Sequence, residues 1–247
     1  MSDLITVTGV VLSAMPIGEY DKRVVLLTKE RGKISAFVRG ARRANSPLLS
    51  VCNPFVFGTF SLYEGRSSYN LTQASVKHYF AELAGVQPGI YYGFYFLELA
   101  DYYGKENADE MQMINLLYVT VKALLNPHID DRLIRRIFEL RMLVIQGEYP
   151  QMFSCAACSA TENLTHFSEN KKGMLCTDCA KNQKDSEAVD ESTLYAMQYI
   201  IHVPVSRLYT FAVSQQVQKR LDHFISRWMT WQLDRRLKSQ SILEMML

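Results

Sequence analysis

The chain has 247 residues, 48% hydrophobic and 21% charged, so it can bury one large core or two smaller ones, and no apolar run reaches the roughly 18 residues of a membrane span. Its formal net charge of +2 hides an asymmetry: residues 1–80 hold ten Lys/Arg against five Asp/Glu, and the remainder holds 17 against 20. A membrane-spanning chain is excluded on this composition, and the excess of cations in the N-terminal third points to a face for a polyanion.

The first 80 residues read as β structure. Apolar and β-branched residues fill 4–13, then 24–28 and 34–38 around the turn Glu30-Arg31-Gly32-Lys33, then 54–63 and 68–79 around Glu64-Gly65-Arg66. Five short strands with a hairpin and a longer polar loop at 40–50 predict a small closed barrel of the OB type, with an SH3-like barrel as the competing architecture.

The hairpin and its exit loop are strongly basic. Residues 22–43 hold Lys22, Arg23, Lys29, Arg31, Lys33, Arg39, Arg42 and Arg43 against one acid, Glu30. In Gly40-Ala41-Arg42-Arg43-Ala44-Asn45-Ser46 a glycine precedes two adjacent guanidinium forks, which match phosphate oxygens better than an ammonium does. Tyr20, Phe37, Tyr63 and Tyr69 are candidate stacking platforms for bases, although any one aromatic ring is more readily a core residue.

Past residue 80 the period becomes helical. Tyr91, Tyr95, Leu99 and Tyr102 form one stripe, Met113, Leu116, Leu117, Val121 and Leu124 a second, and Leu133, Ile137, Leu140 and Val144 a third. Asp130 is placed to cap the third helix and Gly147 to end it, with Pro150 beyond. Arg132, Arg135 and Arg136 lie beside that third stripe. Helices resume at Asp190, and Val217, Leu221, Phe224, Trp228 and Trp231 line a final long helix that also carries Arg220 and Arg227. Cations beside an apolar stripe would suit an acidic peptide with an apolar end. Solvated surface charge is the competing reading of all five arginines.

Between these helices stand two cysteine knuckles, Cys155-Ala156-Ala157-Cys158 and Cys176-Thr177-Asp178-Cys179, 17 residues apart. Two residues between paired thiolates let both sulfurs reach one ion, so the four predict a tetrahedral zinc site with a closed shell and a structural role. Ser159 and Ala180 occupy the places where such knuckles often carry a glycine of positive φ. The opening Met1-Ser2-Asp3-Leu4 lacks a signal-peptide pattern, so a reducing cytosol is expected and disulfides are not. The run 181–187 reads as a surface linker, and Cys52 as a small core residue.

Gly32-Lys33-Ile34-Ser35 imitates the end of a P-loop, but position 27 is Leu where the first glycine belongs. A zinc deaminase needs His-x-Glu before its knuckle, and none is present; a zinc hydrolase needs an open metal position that four thiolates do not leave. The five histidines are scattered.

Taken together, Gly18-Glu19-Tyr20-Asp21-Lys22, Leu26-Leu27-Thr28, Glu30, Gly32-Lys33-Ile34-Ser35 and Gly40-Ala41-Arg42-Arg43 with Ser46 resemble the N-terminal signature of the bacterial recombination mediator family RecO. Glu139-Leu140-Arg141, Gly147-Glu148-Tyr149-Pro150, the knuckles and Arg235-Arg236-Leu237-Lys238-Ser239 follow in that family's order, so the likeness spans nearly the whole chain. The resemblance implies an α+β protein: an OB-fold DNA-binding domain over 1–80, then a helical domain over 81–247 interrupted by a zinc module at about 153–182. It implies a non-enzymatic, cytoplasmic and nucleoid-associated protein that binds single- and double-stranded DNA and anneals strands. Its implied partners are RecR and the acidic tail of single-stranded DNA-binding protein, with RecA loaded as the outcome. The DNA role would fall on Arg39, Arg42 and Arg43, with Lys22, Arg23 and Lys33 beside them; Asn45 stands where the family pattern has a further cation. The alternative is a zinc-stabilised interaction adaptor that does not touch DNA.

Overall fold

In a computed structural model, residues 3–65 and 68–246 are described. Met1, Ser2 and Arg66, which belong to the opening tetrapeptide and the second expected turn, lie outside them.

Alternating burial creates the first architecture. β1 (Leu4–Ile17), β2 (Asp21–Thr28), β3 (Gly32–Val38), β4 (Phe57–Glu64) and β5 (Tyr69–His78) close into a barrel in the order β1-β2-β3-β5-β4. All pairs are antiparallel except β3 with β5, where Ala36 faces Tyr69 and Phe37 faces Asn70. This is the five-stranded OB barrel, and it removes the competing SH3-like reading. One 14-residue strand serves both edges of the closure, because β1 pairs β4 through 4–10 and β2 through 9–17, with a bulge between Val11 and Ser13 that bends it. Gly9 is needed at the crossing: a Cβ there would lie 2.1 Å from the Leu27 carbonyl oxygen.

Inside, Val7, Val11, Val24, Leu26, Ile34, Ala36, Val38, Phe60, Leu62 and Leu71 form the core, joined by Ala41, Val51, Cys52 and Val56 from the segment between β3 and β4. The loop expected at 40–50 therefore sends Ala41 and part of Leu48 into the barrel, the residues just after it add Val51, Cys52 and Val56, and its arginines stay outside. Cys52 is a core residue, with its thiol pushed up to about 11 by burial, against a smaller opposing effect of Lys22.

Helices α1 (Gly89–Tyr103), α2 (Met111–Leu124) and α3 (Asp131–Gln146) carry the three expected stripes. Asp130 caps α3 by accepting from Arg132 N at 2.8 Å, and Gly147 ends it at φ 73°. The cysteine segment contains the short α4 (Thr177–Ala180), and after it come α5 (Glu191–His202), α6 (Gln215–Gln232) and α7 (Lys238–Met246). α6 is thus not the last helix, and its Trp231 is 52% exposed where the stripe predicted burial.

Packing divides the chain into two compact units, Met1–Pro127 with Leu237–Leu247, and His128–Arg236. The period changes at residue 80, but compactness keeps α1, α2 and the returning α7 with the barrel. α7 is held by α1: Glu98 accepts from Lys238 N at 3.1 Å and Ser239 N at 2.7 Å, satisfying two orphan donors of the helix start.

Candidate nucleic-acid interface and metal centre

The β1–β2 turn and the segment after β3 build one surface on the barrel. Gly18 and Gly40 take φ of 55° and 65°, conformations that other residues resist, so the two turns can fold tightly and meet. Gly40 N donates to Asp21 Oδ1 at 2.8 Å, Arg42 N to the Tyr20 carbonyl at 2.8 Å, and Arg42 Nη1 to the Gly18 carbonyl at 3.2 Å. Ala41 is fully buried and anchors the segment, while Arg39, Arg42 and Arg43 on either side of it are exposed. The Arg43 guanidinium lies 5.3 Å from the centre of the Tyr20 ring, a cation–π distance. Among the described residues none of these three arginines has a carboxylate partner, so their charge is available to an external anion.

Cross-strand register continues this surface around the barrel. Met15 pairs with Arg23, Arg23 with Phe37, Phe37 with Asn70, and Asn70 with Tyr63. Paired residues share a face. Met15, Phe37 and Tyr63 are 58%, 37% and 42% exposed, and Arg23 is held among them by donating to Ser35 Oγ at 2.7 Å. Three of the four candidate rings (Tyr20, Phe37, Tyr63) therefore stand in solvent, and Tyr69 is half-buried. Met15 and Asn70 complete the row; only the register, not the composition, identifies them.

The remaining cations of this group are more committed. Lys22 Nζ donates to Asn53 Oδ1 at 3.1 Å. Lys33 donates to the Asp101 carbonyl on α1 and lies 3.6 Å from its carboxylate. Lys33 is thus drawn to a helix rather than presented with the arginine pair.

In the second unit the five arginines divide. Arg135 Nε and Arg136 Nη1 grip the two oxygens of fully buried Glu139 at 2.8 and 2.7 Å, and Arg136 Nε reaches Asp222 on α6 at 2.7 Å. Burial pushes the Arg136 guanidinium down, but Glu139 and Asp222 outweigh that and hold it above its ordinary value. Arg132 pairs with Asp130 and stays exposed. Arg220 and Arg227 share Glu187 with His223, and Arg227 also binds Glu169 at 2.7 Å. The large groove of this unit, about 770 Å³ between α5 and residues 211–217, is lined by none of the five. Arg135 and Arg136 thus work inside the fold, a correction to their reading as surface cations for a partner.

The metal centre forms where β6 (Leu164–Ser168) pairs with β7 (Gly173–Cys176), α4 (Thr177–Ala180) follows, and β8 (Glu187–Ala188) completes a sheet of order β7-β6-β8. The sulfurs of Cys155, Cys158, Cys176 and Cys179 all lie within 4.8 Å of one another. Cys158 and Cys176 are 3.8 Å apart, and a tetrahedral shell with metal–sulfur bonds of about 2.3 Å has sulfur–sulfur edges of about 3.8 Å. Burial pushes the Cys155 thiol up, but backbone N–H groups of Cys176, Ala157 and Cys158 outweigh it and set it at about 6. Cys179 is pushed up to about 12 by its hydrogen bonds to Cys176, Cys158 and Cys155. The Cys155 thiolate forms readily while Cys158 and Cys179 resist ionisation beside it, so the donor set fits a soft divalent cation, whose charge offsets part of the repulsion among four thiolates. Ser159 takes φ 64°, so the first knuckle makes its usual tight turn without glycine; Ala180 sits in α4.

The run 181–187 is organised rather than a slack linker. Burial pushes Asp185 up, but the Asn170 N–H, the Gln183 amide and the Ser168 hydroxyl donate to it and bring it to about 2. Glu187 then ties β8 to Arg220, His223 and Arg227 of α6.

Comparison with known proteins agrees with this arrangement. The family model described as Recombination protein O N terminal matches residues 1–80, and Recombination protein O C terminal matches 89–241. Proteins named DNA repair protein RecO are similar throughout. The one from Alkaliphilus metalliredigens is 30% identical, covering 94% of this chain and 95% of that protein. That of Acetivibrio thermocellus is 28% identical (92% and 91%), and that of Bacillus subtilis 27% (96% and 93%). No helix among the described residues is long and apolar enough to cross a membrane. An OB barrel with a basic, aromatic face, followed by helices around a four-cysteine cluster and matched along nearly its whole length, makes this chain a member of the RecO family of DNA repair proteins.

Proposed function

We propose that this protein is a non-enzymatic recombination mediator that binds single- and double-stranded DNA through its barrel. Phosphates run along Arg39, Arg42 and Arg43, with Arg23 beside Phe37 and Tyr20 for stacking. The observation that carries this reading is the pair Arg42 and Arg43, held on an anchored loop, exposed, without a carboxylate partner among the described residues, and adjacent to an exposed tyrosine. Phosphate contacts supply sequence-independent affinity, and exposed rings add stacking. Strand annealing needs such a surface, since it holds backbones without consuming the base edges.

On this reading the protein acts in the bacterial cytoplasm at the nucleoid. There it works with RecR on DNA coated by single-stranded DNA-binding protein, whose acidic tail it engages, and promotes RecA loading. The second unit offers Arg132, Arg220 and Arg227 to that tail. Zinc in the four-thiolate site has a structural role, since a closed shell leaves no position for substrate.

Arg42→Ala with Arg43→Ala is expected to flatten the slope of log affinity against log salt by about 1.4 on a single strand, about 0.7 per lost phosphate contact. Binding should weaken equally across sequences, and thermal unfolding should change little, because both side chains are exposed and the loop keeps its backbone bonds when the Arg42 Nη1 bond to Gly18 is lost. Parental affinity and slope in the folded double variant would locate the DNA site elsewhere.

A further inference from the structure

A second feature of the barrel unit lies at the other end of the basic segment. Residues 50–56, the 3-10 turn Ala81–Gly85 with its preceding residues, and α1 enclose a cleft of about 410 Å³. Its walls are aromatic. Phe55 and Phe94 meet edge to face at 5.1 Å, and Phe80 and Tyr79 complete them, with Phe94 43% and Tyr79 46% exposed. Phe55 and Phe80 take φ of 69° and 49°. Left-handed backbone at a bulky residue is strained and gathers at functional sites. Both aromatics that bear this strain face the same cleft.

The rim is polar and cationic. Asn53 accepts from Lys22 Nζ at 3.1 Å, and this ties the cleft to the basic segment. The Asn53 amide nitrogen and the Ser50 hydroxyl have no partner among the described residues, so a donor and a donor-acceptor stand at the mouth of an aromatic slot. No carboxylate lines it. Two other clefts differ in this respect: the one between α5 and residues 211–217 carries Glu191, and the one between α1 and α7 carries Glu98 and Asp101. Phosphate would be repelled there.

We propose that this cleft captures one unstacked nucleobase of a DNA single strand, between Phe94 and Tyr79, with Asn53 and Ser50 at its edge and Lys22 on the adjoining phosphate. The inference rests on the barrel being the DNA-binding unit. A base offers two flat faces to the rings and a hydrogen-bonding edge to the amide, and a strand leaving the Arg39–Arg43 segment carries phosphate to Lys22. Capturing a base that is not paired selects single strands over duplex at this position.

The test uses the full chain and three oligothymidines: plain, carrying one 2-aminopurine, and abasic throughout. The unaltered protein should quench 2-aminopurine on binding. Tyr79→Ala with Phe94→Ala should abolish the quench and weaken binding to the base-bearing strand roughly tenfold, within the range measured for one stacked base. The salt slope and the affinity for the abasic strand should stay as in the parent, because phosphate contacts are untouched. Ala84→Trp, which fills the cleft without removing a wall, should reproduce the effect and guards against misfolding of the double variant. Full quench and full affinity in both variants would overturn the cleft while leaving DNA binding by the barrel intact. Failure of the parent to bind any strand would overturn the barrel reading and this inference with it. Unchanged DNA binding with altered sedimentation of the DNA-free variants would make the cleft a self-association face instead.

Discussion

Chelating the zinc proposed for the four thiols, or replacing Cys158 by Ser, is expected to unfold the cysteine segment and to lower the stability of the whole second unit. The segment has almost no core of its own: Cys155, Leu175 and Ala180 are buried there, backed by Leu164, Cys176 and Cys179. So small a cluster cannot offset the chain entropy of two knuckles and three short strands. Structural zinc supplies an apparent 10–16 kcal/mol or so in small peptide sites, comparable to the stability of an entire domain. Cys158 is exposed, so serine fits sterically, and the loss is one thiolate ligand. Damage should spread, because Phe167 of β6 packs edge to face on Phe224 and Trp228 at 5.5 and 5.9 Å, and Glu187 holds three cationic side chains of α6. Both tryptophans lie on α6, so their fluorescence reports this unit selectively. One equivalent of zinc should be found in the parent, with loss of amide protection over 151–189 on chelation. Full protection of that segment in metal-free protein would show that the thiols hold it unaided.

Much of this was legible from sequence, for reasons that differ by element. The barrel announced itself through period-two burial and through Gly32, whose φ of 65° the turn after β2 demands. The cysteine spacing carried its own geometry. α7 did not announce itself: nine residues with one fully buried side chain, Leu243, make too weak a stripe, and its anchor is Glu98, some 140 residues earlier. The pairing of Lys33 was hidden for the same reason, since Asp101 meets it only after α1 folds back on the barrel. The fate of Arg135 and Arg136 was half visible, because Glu139 follows them at i+4 and i+3 on one helix face. Asp222, 86 residues away, was not. Local period and spacing report what a segment buries; they do not report which distant charge closes a pair.

That pair sets the second large effect. Glu139→Ala is expected to destabilise the second unit by about 3–5 kcal/mol, as breaking a buried ion pair from one side does. The carboxylate is wholly buried and receives two guanidinium groups, so its removal takes one counter-charge from both Arg135 and Arg136, while Arg136 keeps Asp222. Arg135→Ala should cost less, since Glu139 keeps Arg136 at 2.7 Å and the Arg135 side chain is the more peripheral member. The order Glu139→Ala, then Arg136→Ala, then Arg135→Ala follows from how many charges each change strands in the interior. Glu139→Gln separates charge from packing: it keeps the shape and one acceptor, and should fall between Glu139→Ala and the parent. Urea unfolding followed by the α6 tryptophans would show these differences as midpoint shifts at constant slope. A Glu139→Ala midpoint within the error of the parent would mean that water reaches the arginines, and that the cluster is not the sealed junction of α3 and α6 that its burial describes.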